Sequence, residues 1–164
     1  MKNNMESFAK SIYPLAKRIK DPTISKQEKK ALNGAIGDIL KKVGDLHPSG
    51  CSKAAFEKYK KIDPSGDIRD RTWHEQHKFD PGRKIFIREH QVTIKALREM
   101  CIANGTVSGI WKILVKNIRI IWVLKKEDAI LTANGKRSNR PNPEEAYENA
   151  GIIVIPPESG WPVW

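Results

Sequence analysis

Lys84-Ile85-Phe86-Ile87-Arg88-Glu89-His90 alternates well enough to be a half-buried strand, with Ile85 and Ile87 on one face and Phe86 and Arg88 on the other. It ends on a carboxylate and an imidazole side by side. Further on, Asn117-Ile118-Arg119-Ile120-Ile121-Trp122-Val123-Leu124 gives the clearest strand in the chain, Ile118 to Leu124, with an amide opening it. Lys125-Lys126-Glu127-Asp128 then begins a helix with two carboxylates in its first turn. Two strands and a helix with reactive groups at their junctions decide how the rest is read.

Outward from this centre the chain is mostly helical. Residues 5 to 20 form a basic helix with Phe8, Ile12, Leu15 and Ile19 on one face and Pro14 as a kink or restart. Ser25-Lys-Gln-Glu28 is a capping box for a second helix, whose apolar stripe is Leu32, Ile36, Ile39, Leu40 and Val43. A shorter helix, about 52 to 62, follows Pro48-Ser49-Gly50. Asp63-Pro-Ser-Gly66 and Asp80-Pro-Gly82 are turns. Residues 91 to 103 and 106 to 116 are helices separated by Asn104-Gly105. A basic loop at 135–141, a short helix at 143–149 and a strand at 152–155 complete the chain. The expectation is a single α+β domain over 1–164. It has a helical part at 1–62, a core at 63–134 in which a small β-hairpin packs on helices, and a C-terminal part at 135–164.

The 164 residues carry 30 Lys+Arg against 19 Asp+Glu, a formal charge of +11. Such a balance favours a polyanionic partner, since each phosphate neutralised releases counterions. The partner expected is nucleic acid, DNA ahead of RNA. Two cysteines, Cys51 and Cys101, exclude a four-thiolate zinc site and suit reduced thiols. No secretory h-region and no membrane-length apolar run is present, so a soluble, cytoplasmic protein is expected. The apolar tail from Ile152 to Trp164 could pack on a second copy, making a homodimer.

Hydrolysing a phosphodiester with one metal needs a general base for water and a divalent ion for the charge that develops. His90, at a strand end, is placed for the base, and Glu89 beside it could face the metal. Asn117 could fix the histidine loop through its backbone, and Glu127 or Asp128 could complete an oxygen-rich site for Mg2+. Arg69, Arg71, His77 and Arg88 are candidate phosphate contacts, with Lys136, Arg137 and Arg140 as a second track. Trp73 could stack on bases, whereas Trp111 and Trp122 suit the core.

Glu89-His90-Gln-Val-Thr93, Asn117-Ile-Arg-Ile-Ile121 and the helix from Lys125 together resemble the HNH, or His-Me finger, nucleases. That resemblance implies a ββα-metal core and metal-dependent endonuclease activity. The sequence departs from the family pattern at two places. Thr93 stands where a proline is usual and Lys126 where the last ligand is usual, so Glu127 or Asp128 would substitute. Other readings use the same residues. Glu89-His90 could be the polar end of a strand, Asn117 a helix C-cap, and Glu127 and Asp128 partners of a helix dipole. The chain would then be a non-catalytic nucleic-acid-binding module or a phage- or plasmid-type effector. A toxin-type RNase using His90, Arg88 and Glu89 without metal is a third possibility. His74-Glu-Gln-His77 has metal-compatible spacing but lacks a third ligand.

Overall fold

A computed structural model describes residues 2–135 and 140–161. Chain contacts divide the described residues into a helical unit, within 2–46 and 92–118, and a sheet unit, within 47–91 and 119–161. The helical part expected at 1–62 therefore ends sooner and gains the two helices that follow His90.

The helical unit has four helices. They are α1 (Lys2–Ile19), α2 (Lys26–Asp45), α5 (Ile94–Asn104) and α6 (Val107–Asn117). In α1 the fully buried stripe is Met5, Ala9, Ile12, Ala16 and Ile19. These alternate in steps of four and three, the spacing of one helix face, and the expected Phe8 and Leu15 are only half-buried beside it. The helix runs through Pro14, which is exposed. Ser25 caps α2 by accepting from Glu28 N–H, one half of the expected capping box, while the Glu28 carboxylate pairs with Arg18. Gly105, in the left-handed region at φ 66°, ends α5, and Thr106 starts α6 by accepting from Gly109 N–H. Thr93, in the proline position of the resemblance, is the N-cap of α5 and accepts from Ala96 N–H.

The sheet unit is built on four strands in the order β2-β3-β1-β4. These are β1 (Ser49–Ser52), β2 (Phe86–His90), β3 (Ile120–Leu124) and β4 (Val154–Ile155). The remaining helices are α3 (Lys53–Lys60), α4 (Gln76–Phe79), α7 (Lys125–Ala133) and α8 (Pro143–Asn149). β3 is buried at every residue, which explains its unbroken apolar run. It pairs antiparallel with β2, Phe86 opposite Leu124 and His90 opposite Ile120, and parallel with β1. The class is α+β. The antiparallel β2–β3 pair is joined through α5 and α6 and extended by two more strands, so it is wider than a two-stranded ribbon.

β1 is the element the sequence hides. Ser49-Gly50-Cys51-Ser52 has low strand propensity, yet it is an interior strand and wholly buried. Gly50 explains the choice of small residues. A Cβ there would lie 2.7 Å from the Ile155 carbonyl oxygen and 2.9 Å from the Trp161 ring. On one side of the sheet Phe86, Trp122, Leu124 and Cys51 pack with Ala55, Tyr59 and Ile68. On the other, Ile121 and Val123 pack with Leu131, Tyr147 and Ile152. Both cysteines are buried and free, and burial pushes each thiol up to about 12. No helix among the described residues is long and apolar enough to cross a membrane.

Candidate functional site at the ends of strand β2

Strand geometry separates the two residues that the sequence places together. Side chains alternate along β2, so His90 shares a face with Phe86 and Arg88, and Glu89 shares the opposite face with Ile87. The pairing partners agree: His90 lies opposite Ile120 and Arg88 opposite Trp122, while Glu89 lies opposite Ile121.

On its face, Glu89 is the centre of a closed polar cluster. Arg140 donates to one carboxylate oxygen through Nη2, and the Tyr147 hydroxyl donates to the other at 3.0 Å. Arg140 also donates through Nη1 to the His90 carbonyl at 3.2 Å and to the Gln91 carbonyl at 3.5 Å, and its guanidinium lies 5.4 Å from the Tyr147 ring. Its side chain is 0% exposed. Burial pushes the Glu89 carboxyl up, against the pull of Arg140, and the charge of Asp128 pushes the same way. Burial and then the charge of Glu89 raise Tyr147. Arg140 is therefore a buried structural cation, not part of an exposed phosphate track. Lys136 and Arg137 lie outside the described residues.

Glu127 belongs to the other end of β3. One oxygen accepts from the Ser52 hydroxyl at 2.6 Å and from Leu124 N–H at 2.8 Å. The carboxylate thus closes the first turn of α7. Ser52 caps α3 as well, accepting from Ala55 N–H. Glu127 holds the Leu124 end of β3 and His90 the Ile120 end. Four residues of strand put these ends about 13 Å apart at the usual rise per residue. Asp128, half-buried in the same first turn, is close enough for its charge to act on Glu89.

Asn117 does not open a strand. It is the last residue of α6, and its amide donates to the Ile113 carbonyl one turn back at 3.1 Å. β3 begins three residues later, at Ile120. The apolar run from Ile118 hid this boundary.

The Mg2+ set implied by the resemblance therefore does not fit. Glu89 has both oxygens engaged by Arg140 and Tyr147, Glu127 has one oxygen held by Ser52 and a backbone N–H at the far end of β3, and His90 lies on the strand face opposite Glu89. Among the described residues no three His, Cys, Asp or Glu side chains are grouped to hold a metal. His74 and His77 are exposed, and His77 Nδ1 lies 2.7 Å from the His74 carbonyl.

The expected phosphate contacts are mostly engaged within the fold. Arg69 pairs with Asp67 at 2.7 Å and donates to the Pro156 carbonyl. Arg71 donates to the Tyr59 hydroxyl at 2.7 Å and pairs with Asp63 at 3.1 Å. Arg88 donates to the Ser49 hydroxyl and to the His47 carbonyl. Ser49 and Arg69 line an open cleft of about 410 Å³ that also has Asp70 and Glu158 in its wall. His47 is buried, and burial together with the nearby Arg88 charge lowers it to about 4. Trp122 is fully buried, in line with its core assignment, whereas Trp111 is only half-buried.

Sequence reasoning missed Tyr147, Ser52 and Arg83. Tyr147 and Ser52 act across long sequence separations and carry no local signal. Arg83 has one: it follows the Pro-Gly of a tight turn. Comparison with protein-family models, with curated proteins and with solved structures finds no match for this chain.

Proposed function

We propose that this chain binds nucleic acid chiefly through its helical unit, without a magnesium-centred cutting site. The supporting observation is the distribution of charge. Residues 1–46 and 92–118 hold 14 of the 30 Lys+Arg but only six of the 19 Asp+Glu, a balance of +8 out of +11. Lys17, Lys29, Lys30, Lys42, Lys112 and Lys116 are exposed, and no acidic side chain among the described residues pairs with any of them. Unpaired lysines on stable helices lose little by meeting phosphate, and counterion release drives the association.

Binding to labelled duplex and single-stranded DNA and to RNA, measured from low to high salt, tests this. The expected log–log slope is roughly −4 or steeper, about −0.9 for each phosphate contacted. No binding even at low salt would remove the reading.

A second reading, phosphodiester cleavage without metal, has one observation in its favour. Arg88 and His90 project from one face of β2, with Ser49 bonded to Arg88. Glu89, on the other face, drops out of that mechanism. Plasmid and RNA substrates incubated with magnesium, and separately with EDTA, sort the possibilities. Cutting that survives EDTA and is lost in His90→Ala supports the second reading. Cutting that needs magnesium restores the His90 nuclease and overturns the assignment of Glu89 and Glu127 as purely structural.

A further inference from the structure

Arg83 is the only non-glycine residue in the left-handed backbone region among the described residues, at φ 51°. Such strain persists only where the surroundings fix it, and it gathers at functional positions. Here the surroundings are well defined. The turn Asp80-Pro-Gly82-Arg83 closes through a hydrogen bond from Arg83 N–H to the Asp80 carbonyl, with Gly82 at φ 74°. The buried Asp80 carboxylate then accepts from the backbone N–H groups of Lys84, Ile85 and Phe86.

The guanidinium of Arg83 lies over the Trp73 ring, 3.5 Å from its centroid. Trp73 is 40% exposed, one of the few large apolar side chains left at the surface. It sits on a one-turn 3-10 helix fixed at both ends. Glu75 accepts from the Thr72 N–H and hydroxyl, and Gln76 donates to Asp80 and to the Phe86 carbonyl. One buried carboxylate thus ties together the segment carrying the ring and the turn carrying the cation. Arg83 has neither an ion pair nor a side-chain hydrogen bond among the described residues, unlike Arg69, Arg71, Arg88 and Arg140. A planar cation held on an aromatic face, with its donors free, is already arranged to take a phosphate in bidentate fashion.

We propose that the Arg83–Trp73 stack is a subsite for single-stranded nucleic acid. A backbone phosphate sits on the guanidinium edge, and the adjoining base stacks on the open part of the indole. A regular duplex keeps its bases stacked inside and cannot offer one to Trp73, so the single strand is the matched ligand. The inference rests on the nucleic-acid reading above and adds a site in the sheet unit.

The test uses the whole chain and a fluorescein-labelled fifteen-nucleotide oligothymidine, with a duplex of equal length for comparison. Arg83→Gly removes the cation and suits the left-handed backbone, so it should melt no lower than wild type. It should weaken oligothymidine binding about tenfold, the scale of one stacked base or one charged hydrogen bond, and duplex binding less. Arg83→Lys, which keeps the charge but not the plane, should lose most of the same affinity. Lys61→Gln, a control that also removes one exposed charge, should change it by less than about threefold. Equal losses in Arg83→Gly and Lys61→Gln would overturn the subsite, as would wild-type affinity in Arg83→Gly and Arg83→Lys. A large fall in melting temperature in Arg83→Gly would show the stack to be structural and overturn it too. If the wild-type chain binds no nucleic acid, the broader reading fails first and the subsite with it.

Discussion

The two ends of strand β2 each bury a carboxylate, and the two are held in opposite ways. Asp80, just before the strand, is met by neutral donors: three consecutive backbone N–H groups and the Gln76 amide. Burial works against its charge, but these donors outweigh it and hold the carboxyl below the ordinary Asp value. Glu89, near the end of the strand, is met by a cation and a hydroxyl, yet burial wins and its carboxyl is raised. Backbone donors at a turn are already fixed by the chain, so aiming them at a carboxylate costs little. A guanidinium must itself be desolvated, so much of its attraction to Glu89 offsets its own burial.

That contrast is tested most severely at Arg140. Arg140→Ala leaves Glu89 buried with only Tyr147 and takes donors from two backbone carbonyls. A loss of about 4 kcal/mol is expected by urea unfolding, the scale of an orphaned buried charge. The double variant Glu89→Met with Arg140→Met should recover most of it, because an apolar pair of similar size needs no desolvation. A mild effect of Arg140→Ala would mean that water reaches Glu89 and that the cluster is not closed.

At the other end, Asp80→Ala should cost about 3 kcal/mol, since it orphans three N–H groups together and leaves the Gln76 amide with only the Phe86 carbonyl. Its second consequence separates it from the Glu89 cluster. The turn carrying Arg83 and the helical turn carrying Trp73 lose their common tie, so the stack should loosen along with β2. Quenching of Trp73 fluorescence by acrylamide, isolated by comparison with Trp73→Phe, should rise in Asp80→Ala and stay unchanged in Arg140→Ala. Equal quenching in both would mean that the stack does not depend on Asp80.

These two ends also show what the sequence could and could not tell. Alternation and capping residues located nearly every helix, and the apolar run located β3, because those signals are local. The same local reasoning, followed one step further, already argues against a shared cleft: neighbours on a strand point to opposite faces, so Glu89 and His90 cannot both line one site while β2 stays paired through His90. The partners that settle the role of Glu89 lie 51 and 58 residues away and leave no pattern in the chain. β1 escaped for a different reason. Its small polar residues answer to the close approach of Ile155 and Trp161 at Gly50, a tertiary demand that propensity cannot express.

Ser52 gives a smaller effect and marks the boundary of the comparison, since Glu127 is a third carboxylate held mainly by neutral donors. Ser52→Ala removes the cap of α3 and one of the two donors to Glu127, leaving Leu124 N–H in place. About 2 kcal/mol is expected, a cap and one buried hydrogen bond. Ser52→Thr, which keeps both bonds if the added methyl fits, should cost less. A loss near that of Arg140→Ala would place Glu127 with Glu89 among the carboxylates that rely on a single strong partner.

The pH dependence is the subtlest way to sharpen the contrast, because the two carboxylates carry opposite signs. Asp80 has a folded value below its ordinary 3.8, so the unfolded chain takes up its proton first as pH falls. Its contribution is complete above 3.8 and drains away as pH drops through that value to the lower folded one. Glu89 has a folded value above its ordinary 4.5, so the folded chain takes up its proton first. The stability associated with that proton is complete below 4.5 and is lost as pH rises through the raised value. Subtracting the urea midpoints of Asp80→Asn from those of wild type between pH 3 and 6 should leave a curve that rises only on the acid side. The same subtraction for Glu89→Gln should leave one that falls above 4.5. If both curves rise with pH, the Arg140 attraction exceeds the burial of Glu89, and the two ends of β2 are held by the same balance after all.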